Sequence, residues 1–216
     1  MERLFQSTQM IGIFGGTFDP VHYGHLRSAL EVKELFGLDE VRLIPCYQPP
    51  HRDQPKASAT MRLQMLQQAI NHEPGLVVDS RELDRAGPSY MVDTLKSLRE
   101  EFSEQTLLLF IGSDAFENLT RWHRWQQLFA YAHLVVLTRP GYALKSLDSF
   151  FNPCLADAKT ELSKTPAGSI FFQPVTQLDI SATAIRNMIA LKQSPRFLLP
   201  DAVIEYIQQH QLYQTQ

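Results

Sequence analysis

Apolar residues along the chain fall into two patterns: short continuous runs, and longer stretches in which they recur every three or four positions. Runs at Met10–Phe14, Val41–Pro45, Leu76–Asp79, Leu107–Ile111, His133–Thr138 and Ser169–Gln173 have strand length and are bounded by turn-forming or polar residues. Such runs suit strands buried on both faces. Helical spacing fills the gaps. Residues 24 to 36 read as a helix stopped by Gly37, and Ser58 caps a helix reaching about His72, with Leu63, Leu66 and Ile70 on one face. Its methionines read as core. Ser89 is the expected cap of a third helix carrying the stripe Met91, Leu95, Leu98 and Phe102, Ser181 of a fourth, and residues 200 to 210 form a closing helix. Residues 143 to 168 lack a clear period and read as an irregular helical insertion. Strand and helix thus alternate almost throughout, which predicts an α/β fold with a doubly wound parallel sheet of five or six strands. No linker, repeat or low-complexity tract interrupts it. A single domain over 1–216 is expected, its C-terminal part from about 181 helical.

Composition narrows the class. A 216-residue chain with 44% hydrophobic and 20% charged residues can bury a sizeable core and is ordinary for a soluble globular protein. A net charge of −3 speaks against nucleic acid as a partner, which requires a basic face, but leaves room for a small anion in a locally positive cleft. Cys46 and Cys154 are far apart and form no metal-type pair, so reduced thiols are expected. Met1–Gln9 is polar without a signal-peptide core, and no apolar run approaches the ~20 residues of a membrane span. A cytoplasmic protein with no membrane partner is expected; self-association to a homo-oligomer stays open.

The densest chemistry lies in Met10–His25. The first strand ends in Gly15-Gly16, Thr17-Phe18-Asp19-Pro20 follows, and a helix begins near His22. A glycine turn between strand and helix lets N–H groups converge on a phosphate, with the positive end of the helix dipole adding to the attraction. His22 and His25, three apart, share one face of the first turn. As metal ligands, His22, His25 and Asp19 lack a nearby further donor. Other candidates lie at the carboxyl ends of later strands, the ligand edge of an open parallel sheet. His51 and Arg52 are phosphate contacts or solvated loop charges. Asp114, after Gly112-Ser113, is a ribose acceptor or a helix cap. Trp122 and Trp125 are core residues or, for one of them, a ring that stacks on a base. Arg139 adds a cation, and Ser181-Ala-Thr183-Ala-Ile-Arg186 places hydroxyls and a guanidinium near another helix start, suited to phosphate oxygens. Two anion-binding helix starts in one domain point to a polyphosphate held between them.

The stretch Gly15-Gly16-Thr17-Phe18-Asp19-Pro20 with His22-x-Gly24-His25 resembles the signature of the nucleotidylyltransferase superfamily. Pro49-Pro50-His51-Arg52, Ser89-Tyr90-x-x-Asp93-Thr94-Leu95, Gly112-Ser113-Asp114, Trp122, Arg139-Pro140-Gly141-Tyr142, Ile180-Ser181-Ala182-Thr183-x-x-Arg186 and the Leu212-Tyr213 ending follow in order. Together they resemble the bacterial nicotinate-nucleotide adenylyltransferases over nearly the full chain. The resemblance implies the Rossmann-like nucleotidylyltransferase fold and transfer of AMP from ATP to nicotinate mononucleotide, without a covalent enzyme intermediate. It implies His22, His25 and Arg186 as catalytic residues, and Gly15, Gly16, Thr17, Phe18, Gly24, Gly112, Asp114, Ser181 and Thr183 as ATP contacts. His51, Arg52, Tyr90, Met91, Val92, Thr94, Trp122, His123 and Arg139 would serve the mononucleotide, and Mg²⁺ would arrive on the ATP phosphates. Met91 is a departure, since relatives often carry Thr there; a backbone N–H remains but a hydroxyl contact is lost. Alternatives are a superfamily member acting on nicotinamide mononucleotide or on another phosphomonoester such as phosphopantetheine, or a non-catalytic nucleotide sensor.

Overall fold

A computed structural model describes residues 9–49, 54–85, 87–139 and 148–214. Six strands, β1 (Met10–Gly16), β2 (Glu40–Pro45), β3 (Leu76–Val78), β4 (Thr106–Gly112), β5 (His133–Thr138) and β6 (Ile170–Pro174), form one sheet in the order β3-β2-β1-β4-β5-β6. Every neighbouring pair is parallel. The helices are α1 (Tyr23–Phe36), α2 (Ala59–Ala69), α3 (Met91–Glu101), α4 (Ser113–Glu117), α5 (Leu128–Tyr131), α6 (Ala182–Ala190) and α7 (Asp201–Gln209). The expected doubly wound sheet is present. Its order reverses between β1 and β4, which opens a crevice beyond the carboxyl ends of those strands.

The continuous apolar runs are continuous because both faces of the sheet are covered. Along β4, Leu108 and Phe110 enter one core with residues of α1, α2, α6 and α7, while Leu107, Leu109 and Ile111 enter the other with residues of α3 and α5. A period of two therefore persists with no polar side. Gly37 ends α1 in the left-handed region at φ 62°, its N–H returned to the helix carbonyls, as its position in the sequence predicts.

Two details of packing differ from the sequence expectation. In α2 the buried face carries Arg62, Met65 and Leu66, and Leu63 is only partly covered. The cap of α3 is Tyr90, with no side-chain bond to the helix; the Ser89 hydroxyl instead accepts from Tyr47 N (2.8 Å) and Gln48 N (3.3 Å) of the loop after β2. Ser58 and Ser181 do cap their helices, accepting from Met61 N and Ala184 N. The irregular segment before β6 carries two short 3-10 turns, Ser149–Cys154 and Lys159–Lys164. Phe150 and Phe151 of the first meet the Trp125 ring at 4.8 and 5.4 Å, so an aromatic cluster holds what regular periodicity does not. Among the described residues no helix is long and apolar enough to cross a membrane.

Candidate active site

At the crevice, β1 runs out through Gly15-Gly16, and Cys46 N donates to Gly16 O (2.9 Å) to hold the turn against β2. Phe18 follows at φ 51° with its ring buried beneath the turn: a Cβ on Gly16 would stand 2.9 Å from Phe18 Cζ. A Cβ on Gly15 would stand 2.6 Å from the Met91 methyl. Both glycines are therefore spaces already filled by neighbouring side chains. Phe18 itself is 1% exposed, so its expected ATP contact cannot be a side-chain contact; it meets the His25 ring edge-on at 5.0 Å and supports it.

His22 caps α1, and its ring stacks on that of His25 with centroids 3.7 Å apart and planes 24° from parallel. His22 N donates to His25 Nδ1 (3.3 Å). That nitrogen must carry a lone pair, so the proton of a neutral His25 sits on Nε2. His22 is 5% exposed, and desolvation pushes its pKa down to about 4. Its Nδ1 is buried with no hydrogen-bond partner among the described residues. Gly24 has a local reason: a Cβ there would lie 3.0 Å from Cε1 and Nδ1 of His22 and 3.5 Å from Ile180 O. The missing side chain makes room for the His22 ring.

The second helix start meets the first. Arg186, on α6, donates through Nη1 to Asp19 O (2.7 Å) and through Nη2 to Thr183 Oγ1 (3.2 Å). Ser181 and Thr183 are exposed beside it. The Asp19 carboxylate is buried and in use: Oδ2 accepts from Lys56 N (2.8 Å), and Oδ1 from Ala57 N (3.0 Å) and the Tyr213 hydroxyl (2.8 Å). Burial and the adjacent Asp19 charge push the Tyr213 phenol far upward, so it stays a donor. Asp19 is thus committed to these donors, and among the described residues no three His, Cys, Asp or Glu side chains cluster as metal ligands.

Across the crevice, α3 begins with Met91 and Val92, whose N–H groups precede the first possible intrahelical acceptor. Val92 is a core side chain, and Thr94, expected to touch substrate, is fully buried with its hydroxyl donated to Glu82 Oε1 (2.6 Å). Burial raises the Glu82 carboxyl, while Thr94 and Ser89 hydroxyls favour its ionised form. Only the main chain of Val92 and Thr94 remains for a ligand, and Thr94 N is already given to Tyr90 O (3.3 Å). The Tyr90 ring lies 4.2 Å from that of His123. His123 Nε2 accepts from Arg124 Nε (2.8 Å), and Arg124 reaches Asp93 Oδ1 (3.2 Å). Trp122 is partly buried at the edge of the same core, and Trp125 is the tryptophan committed to packing. Gly112 and Asp114 are exposed at the end of β4, with open space where a Gly112 Cβ would point. Arg139 is exposed at the end of β5, the strand beside β4, and bonded to Gln177 Oε1 (2.9 Å). His51, Arg52 and Pro140–Tyr142 lie outside the described residues.

The sequence assigns no role here to Arg62, Glu82 or Tyr213, the last appearing only as part of the C-terminal motif, and does not mark Asp19 as a structural hub. Arg62 could have been found, because positions 62, 66 and 70 continue one helical face and an arginine there is a buried one. Glu82 and Tyr213 act over long sequence separations, with no local signal.

A family model described as cytidylyltransferase-like matches residues 13–188. Two relatives, both named "probable nicotinate-nucleotide adenylyltransferase", come from Methylococcus capsulatus and Pseudomonas putida (strain GB-1). The first is 51% identical over 94% of this chain and 99% of its own, the second 50% identical over 97% of each. The solved structure of Plasmodium falciparum nicotinic acid mononucleotide adenylyltransferase complexed with NaAD superposes with a TM-score of 0.72 at 18% identity, covering 95% of this chain and 97% of that one. It shares the fold; the bacterial relatives share the sequence as well. The chain belongs to the cytidylyltransferase-like family and, within it, to the nicotinate-nucleotide adenylyltransferases.

Proposed function

We propose that this enzyme transfers AMP from ATP to nicotinate mononucleotide, releasing pyrophosphate and forming deamido-NAD, as a cytoplasmic step of NAD biosynthesis. The observation that carries the reading is the junction at Asp19, where Arg186 of α6 bonds the turn that leads into His22 and His25. Two helix starts, a guanidinium and an Nε2–H donor then face one polyphosphate. A phosphate oxygen of the mononucleotide attacks the α-phosphorus. As that bond forms, the bond from the α-phosphorus to the bridging oxygen breaks, and its electron pair leaves with pyrophosphate.

Little covalent work falls to the protein, so rate comes from alignment and from charge compensation on the transferring group. His25 donates from Nε2. His22, held neutral, hydrogen-bonds without adding charge, and Arg186, Ser181 and Thr183 take the outer phosphates. Mg²⁺ would enter with ATP as part of the substrate, and its charge would offset that of the phosphates. Asp114 accepts from ribose, Trp122 stacks on the pyridine ring, and the first N–H groups of α3 receive the ring carboxylate.

A second reading, nicotinamide mononucleotide as acceptor, has one observation in its favour: Met91 lies against Gly15 and brings no hydroxyl to the ring. The test is a panel of nicotinate mononucleotide, nicotinamide mononucleotide and phosphopantetheine, each with ATP and Mg²⁺, with products identified by mass. The expected result is deamido-NAD plus pyrophosphate at the highest kcat/KM. ATP binding without pyrophosphate release from any acceptor would make the protein a sensor.

A further inference from the structure

Arg62 is 1% exposed, and its guanidinium bonds three carbonyls on three separate segments. Nη1 donates to Thr17 O (2.7 Å) in the turn after β1, Nη2 to Tyr47 O (3.2 Å) after β2, and Nε to Ala57 O (3.3 Å) before α2. Among the described residues it forms no ion pair. Burying a cation this way is costly, and an apolar residue would complete the same face of α2 more cheaply. What an apolar residue cannot do is hold three chain segments at fixed angles, and a lysine, a single point of charge, cannot do it either.

One of these segments lies at the ATP side of the crevice, and another leads toward the opposite side. Thr17 belongs to the turn beneath the ATP phosphates. Tyr47 leads across: its N–H, with that of Gln48, is held by Ser89 Oγ, and Ser89 N returns a bond to Gln48 O (2.9 Å), immediately before Tyr90 and α3. Through Ala57, whose N–H reaches Asp19 Oδ1, the same guanidinium also braces the residue that Arg186 grips. We propose that Arg62 is a positioning residue for adenylyl transfer: its planar fork sets the distance between the ATP turn and the mononucleotide side of the crevice. The proposal rests on the function given above. In a transfer catalysed mainly by alignment, a misplacement of about 1 Å costs about 10²-fold in rate.

The experiment compares parent, Arg62→Lys and Arg62→Gln with ATP and nicotinate mononucleotide varied separately, and rates expressed per folded molecule from unfolding curves. Both variants are expected to lose about 10²-fold in kcat, with each KM moving by less than about fivefold. Lysine keeps the charge, so a loss in Arg62→Lys assigns the effect to the fork. A purely structural Arg62 would lower the melting temperature and leave kcat per folded molecule alone; Arg62→Lys within about threefold of the parent overturns the proposal. If neither variant folds, Ser89→Ala cuts the same chain of bonds at a less buried position. A fall of about tenfold in kcat with an unchanged ATP KM is then expected, and an unchanged kcat overturns the proposal. A parent that forms no dinucleotide in this assay overturns the proposed function instead, so the two failures are separable.

Discussion

Lowering the pH challenges His22 directly. Its ring is desolvated between the β1–α1 turn and His25, and its pKa falls from 6.5 to about 4. At 1.36 kcal/mol per unit, the folded state resists protonation of this one side chain by roughly 3 kcal/mol. The unfolded chain begins to bind the proton near pH 6.5, while folded His22 stays neutral until about pH 4. Its contribution to stability is therefore complete above the unfolded pKa and is lost as pH falls through the window down to the folded one. Urea unfolding of the parent and of His22→Gln, each at about pH 7.5 and about pH 5, isolates the effect. The parent should lose about 2 kcal/mol more than the variant over that interval. His133, whose pKa burial also lowers, contributes equally to both proteins and cancels. NMR of the ligand-free parent gives the same answer site by site, with the His22 ring remaining neutral at pH 5. A His22 midpoint near 6.5 or above, or identical acid losses in parent and variant, would refute the neutral-imidazole role.

Other expectations follow from named contacts. Gly24→Ala puts a methyl 3.0 Å from the His22 ring, so kcat should fall at least about tenfold with the fold retained; a normal kcat would show that the ring can move aside. Trp122→Ala should mainly raise the KM for the mononucleotide, whereas Trp125→Ala, which dismantles the contacts to Phe150 and Phe151, should cost about 3 kcal/mol of stability in a denaturant titration. If Trp122→Ala loses only stability, Trp122 belongs to the core. Tyr213→Phe removes a hydrogen bond to the buried Asp19 carboxylate and should destabilise the protein by about 2 kcal/mol, measured by chemical unfolding.

What could be read from the sequence divides along a physical line. The sheet was legible because the interiors of β4 and β5, Leu107–Ile111 and Leu134–Leu137, are apolar at every position, a pattern expected when both faces are covered. The glycine turn and the serine caps of α2 and α6 were legible because their bonds are local. Ser89 looked like a cap because serine before a helix usually is one, but its hydroxyl was taken by a loop some forty residues earlier in sequence. Phe18 and Thr94 sit inside motif stretches expected to touch substrate, yet both side chains are buried in the protein; a motif specifies a segment, while burial decides which atoms are presented. Arg62 and Tyr213 reach the turn from remote segments, and only tertiary packing brings them there.

In the proposed reaction the starts of α1 and α6 hold one triphosphate between them. A structure of the protein with a non-hydrolysable ATP analogue and Mg²⁺ tests it most directly. His25 Nε2 and the Arg186 guanidinium should both lie within hydrogen-bond distance of the same polyphosphate chain, with the α-phosphorus turned toward the start of α3. An analogue bound with its phosphates on one of these residues and the other facing a separate cavity would contradict the account.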